Sequence, residues 1–114
     1  MYNSLREFLK LSANEDRFRI MFLLFQADLC VCQLSHILKL SQPTVSKNLS
    51  KLRDTHFVDA TRDGKFTFYS FKTEDISVNV FLEDIIKHLE NYPKLRRDSQ
   101  GLVKKDECLI CINK

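Results

Sequence analysis

The chain has 114 residues, enough for one domain at roughly 100–200 residues each. Hydrophobic residues make up 44% and charged residues 29%, and only two glycines and two prolines argue against a turn-rich β-sandwich, a collagen-like repeat or a linker. The net charge of +3 is small, but residues 41–72 hold six Lys/Arg against three Asp/Glu. A locally basic surface of that kind points to a polyanionic partner, with a merely solvated charged face as the alternative.

Leu5, Phe8 and Leu9 recur at helical spacing and predict a first helix near residues 3–12. Asn14 is an N-cap candidate, followed by Glu15 and Asp16 where the helix dipole favours acids. The second helix then runs to about Ala27 and is apolar nearly all round after Arg19, as a central buried helix should be. Its run Ile20–Phe25 is too short to span a bilayer and too far into the chain to resemble a signal peptide. The expected compartment is the cytoplasm, with the four cysteines as reduced thiols. A third helix is predicted over roughly 30–39, with Val31, Leu34 and Leu38 on one face. Ser41 caps a fourth helix, Pro43 fits its first turn, and Val45, Leu49 and Leu52 face inward up to about Asp54.

The period changes over residues 57–71, where Asp63-Gly64 marks a two-residue hairpin between aromatic, Val- and Thr-rich segments. The helical period returns from about Asp75 to Tyr92, and Pro93 stops it. Residues 94–114 read as a charged tail that ends apolar with Cys108 and Cys111, and no structure is assigned to them. The expected fold is mainly α with a small β-hairpin, in the order α-α-α-α-β-β-α of a winged helix-turn-helix. Residues 1–93 form a DNA-binding and dimerisation domain in this reading, and 94–114 the tail.

With Val45, Leu49 and Leu52 buried, the fourth helix presents Gln42, Thr44, Ser46, Lys47, Ser50 and Lys51 outward. Gln and Thr suit base edges in a major groove, while Ser and Lys suit phosphates. Arg62 and Lys65 flank the hairpin tip, where a wing reaches a neighbouring groove or the backbone. The competing view is an amphipathic surface helix with solvated polar residues. No Gly-rich phosphate loop, Ser/His/Asp set or catalytically spaced carboxylate pair is present, so the chain reads as a non-enzyme.

Cys30 and Cys32 stand at the start of the third helix. Cys30 can be a small buried hydrophobe one turn before Leu34. Cys32 has Ser35, His36 and Lys39 as helical neighbours, a polar face where packing does not call for a thiol. In a regular helix, positions i and i+2 point about 200° apart, so one ion holding both thiolates must unwind the first turn. Such strain would pass along the third helix to the fourth.

The stretch Asp28-Leu-Cys-Val-Cys-Gln-Leu, followed by Leu40-Ser-Gln-Pro-Thr-Val-Ser-Lys-Asn-Leu-Ser-Lys-Leu-Arg, resembles the metal box and recognition helix of the ArsR/SmtB arsenical-resistance repressors. The likeness covers residues 3–92 in element order and is strongest over 28–53. It implies a cytoplasmic homodimer, paired through its first and fifth helices, that binds operator DNA and releases it when a soft metal or metalloid binds. It also implies DNA contacts at Gln42, Thr44, Ser46, Lys47 and Asn48. The chain departs from the family where arsenic sensors carry a third cysteine one turn on; here that residue is Ser35. It also lacks the cysteines of an N-terminal extension, and Asp84 and His88 do not match the zinc sensors' spacing. His36, His56 and His88 read as surface or packing residues.

The expected metal site therefore combines Cys30 and Cys32 with one or both of Cys108 and Cys111, possibly across subunits. Three thiolates suit As(III) or Sb(III), and four suit Cd(II), Pb(II) or Zn(II). Three other readings compete. In one, the same fold responds to thiol oxidation or reactive sulfur. A thioredoxin-like enzyme lacks room for a βαβ unit around Cys108 and Cys111. A winged helix used only for protein interaction sits poorly with the basic face of the fourth helix.

Overall fold

The computed structural model describes residues 2–105, so the candidate ligands Cys108 and Cys111 lie outside the described residues. The elements run α1 (Tyr2–Ser12), α2 (Glu15–Gln26), α3 (Val31–Leu38), α4 (Gln42–Asp54), β1 (Val58–Asp63), β2 (Phe66–Phe71), α5 (Ile76–Lys87) and α6 (Pro93–Gln100). The first four helices and the hairpin fall where the sequence places them, and the order is that of a winged helix-turn-helix.

α2 is the central element for the reason its sequence implies. Ile20, Met21, Phe22, Leu23 and Leu24 are all buried, so the helix has no solvent face over that stretch. Asn14 caps it, its Oδ1 accepting the Arg17 N–H at 2.9 Å. Phe8 of α1, Leu34 and Leu38 of α3, Val45, Leu49 and Leu52 of α4, and Val78 and Leu82 of α5 close around it. Each such side chain contributes about 1.5–3 kcal/mol on leaving water. Phe8 also meets the rings of Phe57, Phe71 and Phe81 at 5.8–6.5 Å, which joins α1, the hairpin and α5 in one aromatic cluster.

Three local expectations are corrected. The hairpin register runs from Val58↔Phe71 to Asp63↔Phe66, so the turn residues are Gly64 and Lys65, not Asp63 and Gly64. Gly64 sits at φ +64°, a conformation a side chain disfavours, which draws the turn onto it. α5 ends at Lys87 and not near Tyr92; a 3₁₀ turn over Leu89–Asn91 follows. Tyr92 is extended at φ −130°, ψ 77°, as a residue before proline prefers. Pro93 does not stop α5, which ends six residues earlier; it opens a new helix, because its fixed φ and missing N–H suit a first helical position.

That new helix, α6, is the part of the fold that periodicity does not announce. It docks on α2 and α3 through polar groups. Arg19 in α2 donates from Nε and Nη2 to the two carboxylate oxygens of Asp98 at 2.8 and 2.9 Å, and from Nη2 to the Leu38 carbonyl at 3.1 Å. Both partners are buried. Gln26 Nε2 donates to Ser99 Oγ at 3.1 Å, and the buried Gln33 donates to the Lys105 carbonyl at 3.1 Å. Gly101 follows the helix, and a Cβ there would stand 2.8 Å from Ile37 Cγ2, so glycine lets this segment lie on α3 without displacing the Ile37 side chain.

Removing one member of a buried ion pair leaves an uncompensated charge. Asp98→Ala should therefore lower stability in urea unfolding by about 3 kcal/mol, while Arg19→Met/Asp98→Leu should cost clearly less than either single loss. Equal or greater cost in the double variant would contradict this account of the docking.

Candidate nucleic-acid interface and thiol site

α4 is fixed at its start by Ser41, whose Oγ accepts the Thr44 N–H at 3.3 Å and donates to Thr44 Oγ1 at 2.8 Å. Ser35 sits where the resembled family carries a third cysteine. Its hydroxyl donates to the Leu40 carbonyl and so staples α3 to the turn before α4. Lys39 ends α3 in the left-handed region at φ 60°, ψ 39°, which reverses the chain.

Val45, Leu49 and Leu52 are buried beneath α4, as the sequence implies. Gln42, Ser46, Lys47, Ser50 and Lys51 are exposed, and Thr44 and Asn48 are half-buried. Thr44, Lys47, Asn48 and Lys51 line a cleft shared with the cap residue Asn14 and with Asp16 and Arg17 of α2. Ser46 and Ser50 line another, with Arg53, Asp54 and Tyr69. Two of these groups are already engaged: the Asn48 amide donates to the Thr44 carbonyl at 3.0 Å, and the Thr44 hydroxyl belongs to the cap. Arg62 and Lys65 stand apart, exposed at the hairpin tip, where Arg62 Nε donates to the Gly64 carbonyl at 3.2 Å.

Sequence reasoning overlooked Arg17, Arg53 and Tyr69 beside this face. Arg53 was legible, three residues after Ser50 and on the same helical stripe. Arg17 and Tyr69 come from other elements, and only the folded chain brings them there. The Arg17 Nε is buried with no hydrogen-bond partner among the described residues.

The thiols stand at the opposite end of α3. Cys30 is the N-cap residue, extended at φ −94°, ψ 171°, and therefore not inside the helix as expected. Its thiol is buried and free, and its N–H donates to Gln33 Oε1 at 3.0 Å. The preceding residue, Leu29, exchanges two backbone hydrogen bonds with Tyr69 in β2, at 3.0 and 2.8 Å. The start of α3 is thus tied to the wing.

Cys32 is half-buried and disulfide-bonded, which corrects the expectation that all four thiols are reduced. The contact between Gln33 and Lys105 brings the C-terminal segment to this turn. Among the described residues, no three His, Cys, Asp or Glu side chains cluster closely enough to hold a metal ion. His36, His56 and His88 are exposed.

Two charges near α6 are perturbed. The hydrogen bond to Asp98 raises the Arg19 guanidinium above its ordinary range against the opposing effect of burial. Glu15 is held below the usual carboxylate range by its hydrogen bond from Lys94.

Residues 14–60 match the family model described as bacterial regulatory protein, arsR family. The arsenical resistance operon repressor of Staphylococcus aureus is 32% identical over 88 residues, covering 77% of this chain and 79% of that protein. The arsenic resistance transcriptional regulator ArsR1 of Pseudomonas putida is 36% identical over 66 residues, 57% of this chain; the chain spans about half of that relative's length, 52%. Among solved structures, reduced HlyU from Vibrio cholerae matches with a TM-score of 0.65 at 31% identity, over 75% of this chain and 90% of that one. The homodimeric winged helix-turn-helix DNA-binding domain of Mb0332 from Mycobacterium bovis matches with a TM-score of 0.61 at 27% identity, over 80% and 86%.

Ser41 satisfies a donor at the start of α4 and fixes the turn. Ser41→Ala should lower stability by about 1 kcal/mol in urea unfolding, and Ser41→Asp should recover most of it. An unchanged midpoint in the alanine variant would contradict the capping role.

Proposed function

The chain belongs to the ArsR family of DNA-binding transcriptional repressors, which are not enzymes, and from that premise we propose that it is a homodimer that leaves its operator when thiol chemistry occurs at Cys30 and Cys32. α4 enters the major groove, with Gln42, Thr44 and Ser46 toward base edges and Lys47, Asn48, Ser50 and Lys51 toward the backbone. Arg62 and Lys65 reach out from the wing, and Arg17 and Arg53 add cations beside α4. The pairing surface is the apolar face of α1 and α5: Ile76, Val80, Phe81 and Leu9 are 72%, 57%, 46% and 54% exposed. A small protein does not ordinarily leave such a patch in water, and the Mb0332 domain, similar over four fifths of this chain, is homodimeric.

One observation carries the coupling. The Cys30–Cys32 stretch lies between the Leu29–Tyr69 bridge to the wing and the helix that leads to α4. Cys30 is buried, so a ligand that takes both thiolates must draw it from the core and disturb Leu29 and the first turn of α3. Cys108 and Cys111 complete the site in this reading. The Lys105 carbonyl already touches Gln33, and three further residues reach up to about 10 Å. Three thiolates would hold As(III) or Sb(III), and four would hold Cd(II), Pb(II) or Zn(II). The protein acts in the cytoplasm, where the operator is.

A second reading is favoured by the disulfide at Cys32. There the input is oxidation itself, and reduction and oxidation set the two states. In either case the sulfurs must be reduced before they can ligate a metal.

Fluorescence anisotropy on duplex DNA from the protein's own upstream region separates the two. As(III) should release the reduced wild-type protein, and Cys32→Ser should abolish that release while keeping DNA affinity. Cys108→Ser/Cys111→Ser should weaken the As(III) response; a wild-type response would remove the tail from the site. Release by mild oxidant but by no metal would move the input to redox.

DNA binding itself should be strongly salt-dependent. Lys47→Ala should weaken it across sequences and reduce the slope of log K against log salt by about 1. A salt-insensitive affinity would contradict the interface.

A further inference from the structure

The groove between α3 and α6 serves neither DNA nor thiols in the reading above. Its lining includes five cationic side chains, Arg19, Lys39, Lys94, Arg97 and Lys104, against one carboxylate, Asp98. That excess of four exceeds the net +3 of the whole chain. Asp98 is spent on Arg19, and Lys94 is paired with Glu15. Lys39, Arg97 and Lys104 have no ion-pair partner among the described residues. The cavity measures about 500 Å³, within the range of roughly 300–1,000 Å³ common for small-molecule sites, and the half-buried Ile37 gives its wall an apolar patch.

Lys39 supplies an independent observation. It occupies the left-handed end of α3, where glycine or asparagine is the unstrained choice. A lysine at such a position costs stability, and this one lines the groove. None of the lining residues comes from α4 or the hairpin, which separates the groove from the DNA-facing side chains.

We propose that this groove binds a small, multiply charged oxyanion of the phosphate class, held by Lys39, Arg97 and Lys104. Arg97 offers a planar fork to phosphate oxygens, and the two lysines offer point charges. The anion bridges α3 and α6 and so braces the docking of the C-terminal segment. The ligand is a free small molecule whose organic part lies on Ile37.

Inorganic pyrophosphate is the probe, with the reduced full chain at matched ionic strength. Calorimetric titration should give a dissociation constant below the millimolar range, and Tm should rise with pyrophosphate concentration. Arg97→Gln/Lys104→Gln should weaken binding by roughly tenfold or more while duplex DNA affinity stays at wild type. Lys39→Gly should weaken pyrophosphate binding yet hold or raise the Tm without ligand, a combination that a purely structural lysine would not give. Three results overturn the proposal: no binding to wild type; equal binding in the variants, or loss only in Lys47→Ala/Lys51→Ala; or loss of DNA affinity in Arg97→Gln/Lys104→Gln without any pyrophosphate binding, which would make the groove a DNA contact.

Discussion

One guanidinium ties three helices together. Arg19 leaves α2, meets Asp98 of α6 with two hydrogen bonds, and reaches the Leu38 carbonyl at the end of α3 with a third. Burying such a charge is costly, and only a bidentate carboxylate with a further acceptor offsets it. The arrangement makes the position of α3 depend on α6. At the other end of α3, Gln33 repeats the pattern in neutral form: it accepts from the Cys30 N–H and donates to the Lys105 carbonyl. α3 is therefore held at both ends by groups that also hold the C-terminal segment.

This matters because α3 is the element that joins α4 and the wing, the two parts assigned to DNA in the proposed function. Its C-terminal end passes through Lys39 and the Ser35–Leu40 staple into α4. Its N-terminal end is bonded through Leu29 to Tyr69 of the wing. A helix tied in this way has few small adjustments open to it, since close-packed neighbours resist gradual deformation. In the proposed function, chemistry at Cys30 and Cys32 acts on the turn beside the Leu29–Tyr69 tie, at the end of α3 away from the Ser35–Leu40 staple. The metal-responsive proposal and its redox alternative share this route and differ only in what binds or bonds the sulfurs.

The parts legible in the sequence are those encoded by neighbours along the chain. Ser41, Pro43 and the Val45–Leu49–Leu52 spacing mark α4 almost to the residue, and Asn14 with Glu15 and Asp16 marks α2. The apolar run of α2 announces the core. α6 escapes because its docking is polar and distant: its buried side chain is Asp98, whose partner lies 79 residues earlier. Cys30 caps α3 without the Ser, Thr, Asn or Asp that signals a cap, so the sequence alone places the start of the helix only roughly, near residue 30. The hairpin turn slips by one residue because Gly64 takes the first turn position once the strand register is fixed. Arg17 and Tyr69 come to the edges of α4 from α2 and the wing, and no spacing along α4 points to them.

The central claim is that a change at the cysteines travels through the Leu29–Tyr69 bridge as well as along α3. Hydrogen exchange at single amides, read on the protein bound to duplex DNA from its own upstream region before and after As(III), tests it most directly. The account predicts that Leu29 and Tyr69 amides lose protection together with the first turn of α3, while the core amides of α2 keep theirs. Release of DNA with full protection retained at Leu29 and Tyr69 would contradict it.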